Sequence, residues 1–340
     1  MAVHGLCRAL VECGHDVTVF TTNVDGDSES DVPLDREVLL NGVRVRYFAS
    51  SFRRLYVSPS MRAALRDIRP FDLVHNHSVF LWPTAASARA AMRQQVPYVI
   101  SPRGMLVRDL IERKSRFVKS AWIRLIERRN FKSAAAIHFT AERELQDARE
   151  SGIPIPRSFV VPNGIDVIPR PNVSRDPNTI VYLGRINWKK GLERLIAATP
   201  PGAKLIIAGN DEENLTPKLR ELSRDRDVEF PGAIYDAAKW ELLARASAFV
   251  LPSLSENFGN VVVEAMMMST PVIVSPEVGV ASDVASARAG VVTHDFAAAI
   301  AEILRDPDDY GRNGRALVES KFTWPVVAEQ MEREYRCSIG

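Results

Sequence analysis

Cysteine is scarce in this sequence and forms no pattern. Cys7, Cys13 and Cys337 are scattered through 340 residues, an odd set that excludes a disulfide framework and predicts a reducing compartment. No Cys-x-x-Cys pair or Cys/His cluster occurs, so no structural zinc site is expected. No apolar run approaches the roughly 20 residues that span a bilayer. The first residues also lack the charged start and apolar core of a signal peptide. The expected location is the cytoplasm, at most peripheral to a membrane. An excess of one charge is missing as well. Lys and Arg number 44 against 42 Asp and Glu, a formal net charge of +2, so nucleic acid is not an expected partner. What is present is ordinary for a globular chain with a substantial core: 46% hydrophobic and 25% charged residues. The length is enough for two domains.

Short apolar strands recur at roughly 20–25-residue intervals with helical segments between them, the rhythm of parallel α/β sheets. The most informative unit is Pro252 to Ser275, which follows the apolar strand 248–251. A polar loop holds Glu256, Asn257, Phe258 and Gly259, a helix carries Glu264, and Pro271 opens the next strand. Ligands of such sheets sit at the carboxyl ends of the strands. Gly259 lets the backbone approach a ligand, and amides that open a helix favour an anion. Two carboxylates spaced as Glu256 and Glu264 are can accept hydrogens from two sets of sugar hydroxyls. Upstream, strand 179–183 runs into Gly184-Arg185-Ile-Asn-Trp-Lys189-Lys190-Gly191 and a helix. The planar fork of Arg185 suits two phosphate oxygens, and Lys190 supplies a point charge.

Taken together, ENFGNVVVEAM with TPVI, GRINWKKG, VPNGID (161–166) and Phe322-Thr-Trp324 resemble the signature of retaining GT-B glycosyltransferases. These form the large bacterial family 4, the glycosyl transferases group 1, which includes mannosyl-, glucosyl- and fucosyltransferases. The resemblance implies an α/β chain of two Rossmann-like doubly wound domains facing a cleft. They would be an acceptor-side domain at 1–165, a nucleotide-sugar domain at 166–322, and a last helix at 323–340 crossing back. It implies transfer of a hexose-type sugar from a UDP- or GDP-sugar to a glycan or lipid-linked acceptor, with retention, in cell-surface polysaccharide biosynthesis. Arg185 and Lys190 would stabilise the leaving diphosphate, Glu256 would meet the sugar, Glu264 the ribose, and Ile234 the base. Gly184, Asn257, Phe258 and Gly259 would line the donor site. No cofactor and no metal are implied, because Arg185 and Lys190 supply the charge. Asp72-Leu-Val-His-Asn-His77 and the PRGML segment place His77 and Arg103 on the acceptor side.

Departures from the pattern keep other readings open. The family begins with a strand and a glycine-rich loop ahead of helix 2–13, and both are missing here. That motivates an alternative, a degenerate or truncated nucleotide-sugar-binding protein without catalysis. A related phosphorylase with a lysine-bound pyridoxal cofactor is a third reading, although such chains are usually longer. Asp25-Gly-Asp27 matches a metal-binding DxD triplet of another glycosyltransferase fold, but it sits in a polar surface loop. Between Arg103 and Lys132 stand ten Lys or Arg and three Asp or Glu, interleaved with Trp122, Ile123, Leu125, Ile126 and Phe131. Such a basic amphipathic stretch either lies on an anionic membrane or packs on the sheet with a solvated outer face.

Overall fold

The computed structural model describes residues 2–106, 122–305 and 308–340. The chain divides into two compact α/β units, one of residues 1–164 with 324–340, the other of residues 165–323.

The first unit opens with helix Ala2–Glu12, which buries Leu6, Cys7, Ala9 and Leu10. Its strands fall into two sheets. One has the order β1 (Thr18–Thr22), β5 (Val43–Phe48), β4 (Glu37–Leu40); the other runs β6 (Val74–His77), β7 (Tyr98–Ser101), β8 (Ala136–Phe139), β9 (Ser158–Val160). A two-residue ribbon, β2 (Val24–Asp25) with β3 (Ser28–Glu29), holds the Asp25-Gly-Asp27 triplet at the surface. All pairs in the two larger sheets are parallel except β4 on β5, an antiparallel edge to an otherwise parallel architecture. Both sheets share their cores. Phe20 and Phe48 pack with Ile100 and Ile137 on one face. On the other face the first helix sets Leu6 and Leu10 against Val99 and Ala136, and Cys7 against Val43 and Val45. Among the described residues, β1 pairs only with β5 and β6 only with β7, so each keeps one unpaired edge. Residues of β1 and β6 are accordingly half-buried, whereas every residue of β7 and β8 is buried. Helix Trp324–Ile339 completes this unit by packing Trp324, Val327, Ala328 and Met331 on the first helix and the sheet.

The second unit is one six-stranded parallel sheet. Its order is β12 (Asp227–Gly232), β11 (Lys204–Ala208), β10 (Thr179–Leu183), β13 (Ala248–Leu251), β14 (Val272–Val274), β15 (Gly290–Val292). The central strands β10, β13 and β14 are buried along their whole length. That explains their unbroken apolar runs, because helices cover both faces of a parallel sheet. The chain starts at β10, builds outward through β11 and β12, then returns to the other side of β10 with β13. The order therefore reverses between β10 and β13, and ligands bind at such a switch point, at the carboxyl ends of the strands.

Candidate functional site

The segment after β10 and the segment after β13 meet at that switch point. Beyond β10, residues 188–190 form a short helical turn. It is capped by Asn187, whose side chain accepts the Lys189 amide at 3.2 Å, and ends at Gly191 with φ 61°. A β-carbon on Gly191 would come within 2.5 Å of the Pro252 carbonyl, so glycine is required where the two segments touch. The Leu254 amide donates to the Lys189 carbonyl at 2.7 Å, tying them together. Lys190 Nζ then bonds Glu256 Oε2, with both side chains largely enclosed. The loop that carries Glu256 is braced from β14: its amide donates to Glu277, and its carbonyl accepts from Gly279 at 3.0 Å. Gly259, at φ 99°, opens helix Asn260–Met267. Glu264 on that helix takes Lys239 at 2.9 Å, and the two side chains are 17% and 18% exposed. Arg185 reaches Glu212 at 3.1 Å but stays 68% exposed, a surface pair worth little and easily exchanged for a ligand.

The other expected donor residues follow strands of the same sheet. Gly184 follows β10, and Ile234 follows β12 half-buried. Phe258 is turned into the core against Phe322, with ring centroids 5.8 Å apart, so only its backbone faces the loop. Sequence reasoning missed Lys239 and Glu212. Each sits in an ordinary polar segment 25 or more residues from its partner, and only the fold brings them together.

In the first unit, His77 ends β6 and Arg103 follows β7. Arg103 donates from Nε to His77 Nδ1 at 3.2 Å, and Nη2 lies 3.1 Å from the same nitrogen. Nη1 donates to Asn163 Oδ1 at 2.7 Å. The His75 ring lies 4.2 Å from that of His77, tilted by 35°, with its Nδ1 2.6 Å from the Tyr335 hydroxyl. His138 bonds the Val161 carbonyl through Nε2 at 2.8 Å. Burial, seconded by the charge of Arg103, holds His77 and His138 neutral, His138 down to about 3. His75 is likewise held far below its usual value, by burial first and then by its histidine neighbours. Burial also pushes the Cys7 thiol up to about 11. Neither His138 nor Tyr335 carried a sequence motif; their roles come from strand register and from the last helix. Thr140, ahead of the helix Glu142–Glu150, donates to Glu144 through both amide and hydroxyl, at 2.7 and 2.8 Å. The basic stretch 103–132 lies for the most part outside the described residues.

Comparison with known proteins bears on both units. Residues 1–164 match the model described as glycosyl transferase 4-like domain, and residues 166–316 match glycosyl transferases group 1. The glycogen synthase of Mycobacterium tuberculosis is 30% identical over 381 aligned residues, covering 98% of this chain and 89% of that protein. The chain belongs to the group 1 glycosyltransferases. Within the group, the phosphatidyl-myo-inositol mannosyltransferase of Mycolicibacterium smegmatis is 32% identical over about half of each chain, 53% and 52%. Solved structures show the GT-B fold. Sucrose-phosphate synthase from Thermosynechococcus elongatus superposes with a TM-score of 0.76 at 23% identity, covering 98% of this chain and 92% of its own. Anabaena HepE in complex with UDP and glucose gives 0.68 at 18% identity, over 87% of each chain. Among the described residues of this glycosyltransferase, no helix is long and apolar enough to cross a membrane.

Proposed function

We propose that this glycosyltransferase moves a hexose from a nucleotide-diphosphate sugar to a glycan or lipid-linked acceptor, with retention of configuration, in cell-surface polysaccharide assembly. The observation that carries the reading is the Lys190–Glu256 pair at the switch point of the second unit. A cation and a hydroxyl acceptor stand side by side where a glycosyl phosphate bond would lie. As that bond breaks, negative charge grows on the leaving diphosphate, and fixed cations stabilise it. In this reading Lys190 and Arg185 meet the diphosphate, Glu256 orients the sugar hydroxyls and Glu264 the ribose. Ile234 borders the base, while Gly184, Asn257 and the backbone at Phe258 and Gly259 complete the donor site. No metal is needed for the step. Retention follows from attack on the face the diphosphate leaves, with a leaving-group oxygen taking the acceptor's proton. HepE, solved with UDP-glucose, supports UDP as the first base to try. Peripheral membrane contact through the basic stretch 103–132 belongs to the same proposal, for a lipid-linked acceptor at the cytoplasmic face.

A second reading, nucleotide-sugar binding without turnover, is favoured by the half-buried strands β1 and β6 with their unpaired edges. One experiment separates the two. The melting temperature is followed with UDP-, GDP- and ADP-sugars, then product is sought with the donor that raises it. A shift with turnover supports transfer, and a shift without turnover on any acceptor supports the second reading. No shift with any of them would overturn both.

A further inference from the structure

The carboxyl ends of β6 and β7 are a built site that the donor chemistry does not use. Three residues other than glycine hold left-handed backbone there: Ser78 at φ 72°, Phe80 at 61° and Arg103 at 55°. Such conformations persist only where the surroundings over-determine them, and they gather at ligand sites. Two buried carboxylates fix these turns. Glu127 accepts the Phe80 amide at 2.9 Å and the Trp122 ring nitrogen at 2.9 Å. Glu144 accepts the Gly104 amide at 2.6 Å and both donors of Thr140. Both carboxylates are thereby spent on the loops. Among the described residues none makes an ion pair with Arg103; Glu144 acts on its charge only from a distance.

The hydrogen bonds of Arg103 decide what the site presents. His77 Nδ1 accepts from the guanidinium, so the ring's proton sits on Nε2, and His77 offers a donor rather than a base. Of the five guanidinium N–H groups, two point at His77 and one at Asn163. Among the described residues, one N–H on each terminal nitrogen has no acceptor. Three donors and a whole positive charge are thus available, and among the described residues no carboxylate pairs with them. A sugar hydroxyl pair needs both roles; an oxyanion needs only donors.

We infer that Arg103 and His77 form an oxyanion subsite, and that the acceptor carries a phosphate or a carboxylate which this subsite grips. This rests on the transferase reading and deepens it: that reading assigns Arg185 and Lys190 to the donor diphosphate, and the anion inferred here is the acceptor's. His75, His138 and Tyr335 are the positioning layer beneath, holding the His77 ring in place.

The test is a titration of the full chain with its histidine rings labelled with nitrogen-15, the His77 signal being identified by its loss in His77→Gln. His77 is expected as the Nε2–H tautomer. Its signal should move saturably with inorganic phosphate or with glucuronate, and not with glycerol or with chloride at matched ionic strength. Stronger movement with phosphate indicates a phosphorylated acceptor; stronger movement with glucuronate, an acidic sugar. Arg103→Lys keeps the charge, removes the fork, and should weaken the response by about tenfold or more. A His77 signal that neither anion moves overturns the inference, as does one moved equally by glycerol. Movement by UDP alone that competes with phosphate assigns the site to the donor and overturns it too. A melting shift with the nucleotide sugar, measured on the same sample, shows whether the transferase reading fails with it.

Discussion

Lys190 and Glu264 stand in similar ion pairs, yet their replacement should have different effects. On the proposed reading Lys190→Ala removes a charge that matters most as the diphosphate leaves, so kcat should fall about a hundredfold or more while donor affinity changes little. On the same reading Glu264→Ala removes a ribose contact made equally in ground and transition states. Donor affinity should weaken by about tenfold with kcat nearly kept, as steady-state kinetics would resolve. Equal losses in both parameters for both variants would sink the assignment. Gly259 is constrained by its backbone. At φ 99°, with Val278 Cγ1 2.9 Å from where a β-carbon would stand, Gly259→Ala should cost about 1–2 kcal/mol in denaturant unfolding. The carboxylate spacing and the Arg185–Lys190 spacing could be read from the chain because they are local. The counter-ion of Glu264 could not: Lys239 lies 25 residues away, on a helix whose pattern says only that one face is wet. The tautomer of His77 was hidden for the same reason, since it depends on Arg103, 26 positions away.

At the level of elements, the second unit was legible almost whole. Its strands are short and, apart from β12, mainly apolar, and each signature loop follows a strand, as a parallel sheet requires. The antiparallel β4 was not legible, because Glu37–Leu40 alternates too weakly and leaves Leu39 68% exposed. The unpaired edges of β1 and β6 give a direct expectation. Inner strands of a covered parallel sheet are normally its slowest-exchanging parts. Here amide exchange by mass spectrometry should find 18–22 and 74–77 opening well before 98–101 and 136–139, because exchange protection follows pairing and burial. Equal protection across all four strands would mean that the edges are covered.

For the molecule as a whole, the buried imidazoles of the first unit set the response to acid. His75, His77 and His138 have folded-state values depressed by burial, so the unfolded chain binds their protons first. Stability is therefore fully present above the unfolded value of about 6.5 and is lost as pH falls below it, down to about 3 for His138. The slope is at most about 1.4 kcal/mol per histidine per pH unit. Unfolding should steepen below neutrality in the wild type and flatten in His138→Gln, as urea titrations at several pH values would read. The last helix has another consequence. Trp324 packs so close to Gly5 and Gly164 that neither position has room for a β-carbon, and residues 324–340 complete the unit that contains residue 2. That helix is synthesised after all of residues 2–323, including the layers it packs on. The middle of the chain, contiguous from 165 to 323, can close its sheet during synthesis, while the first-made half waits for its final layer. Translation order and folding order thus run in opposite directions along this polypeptide.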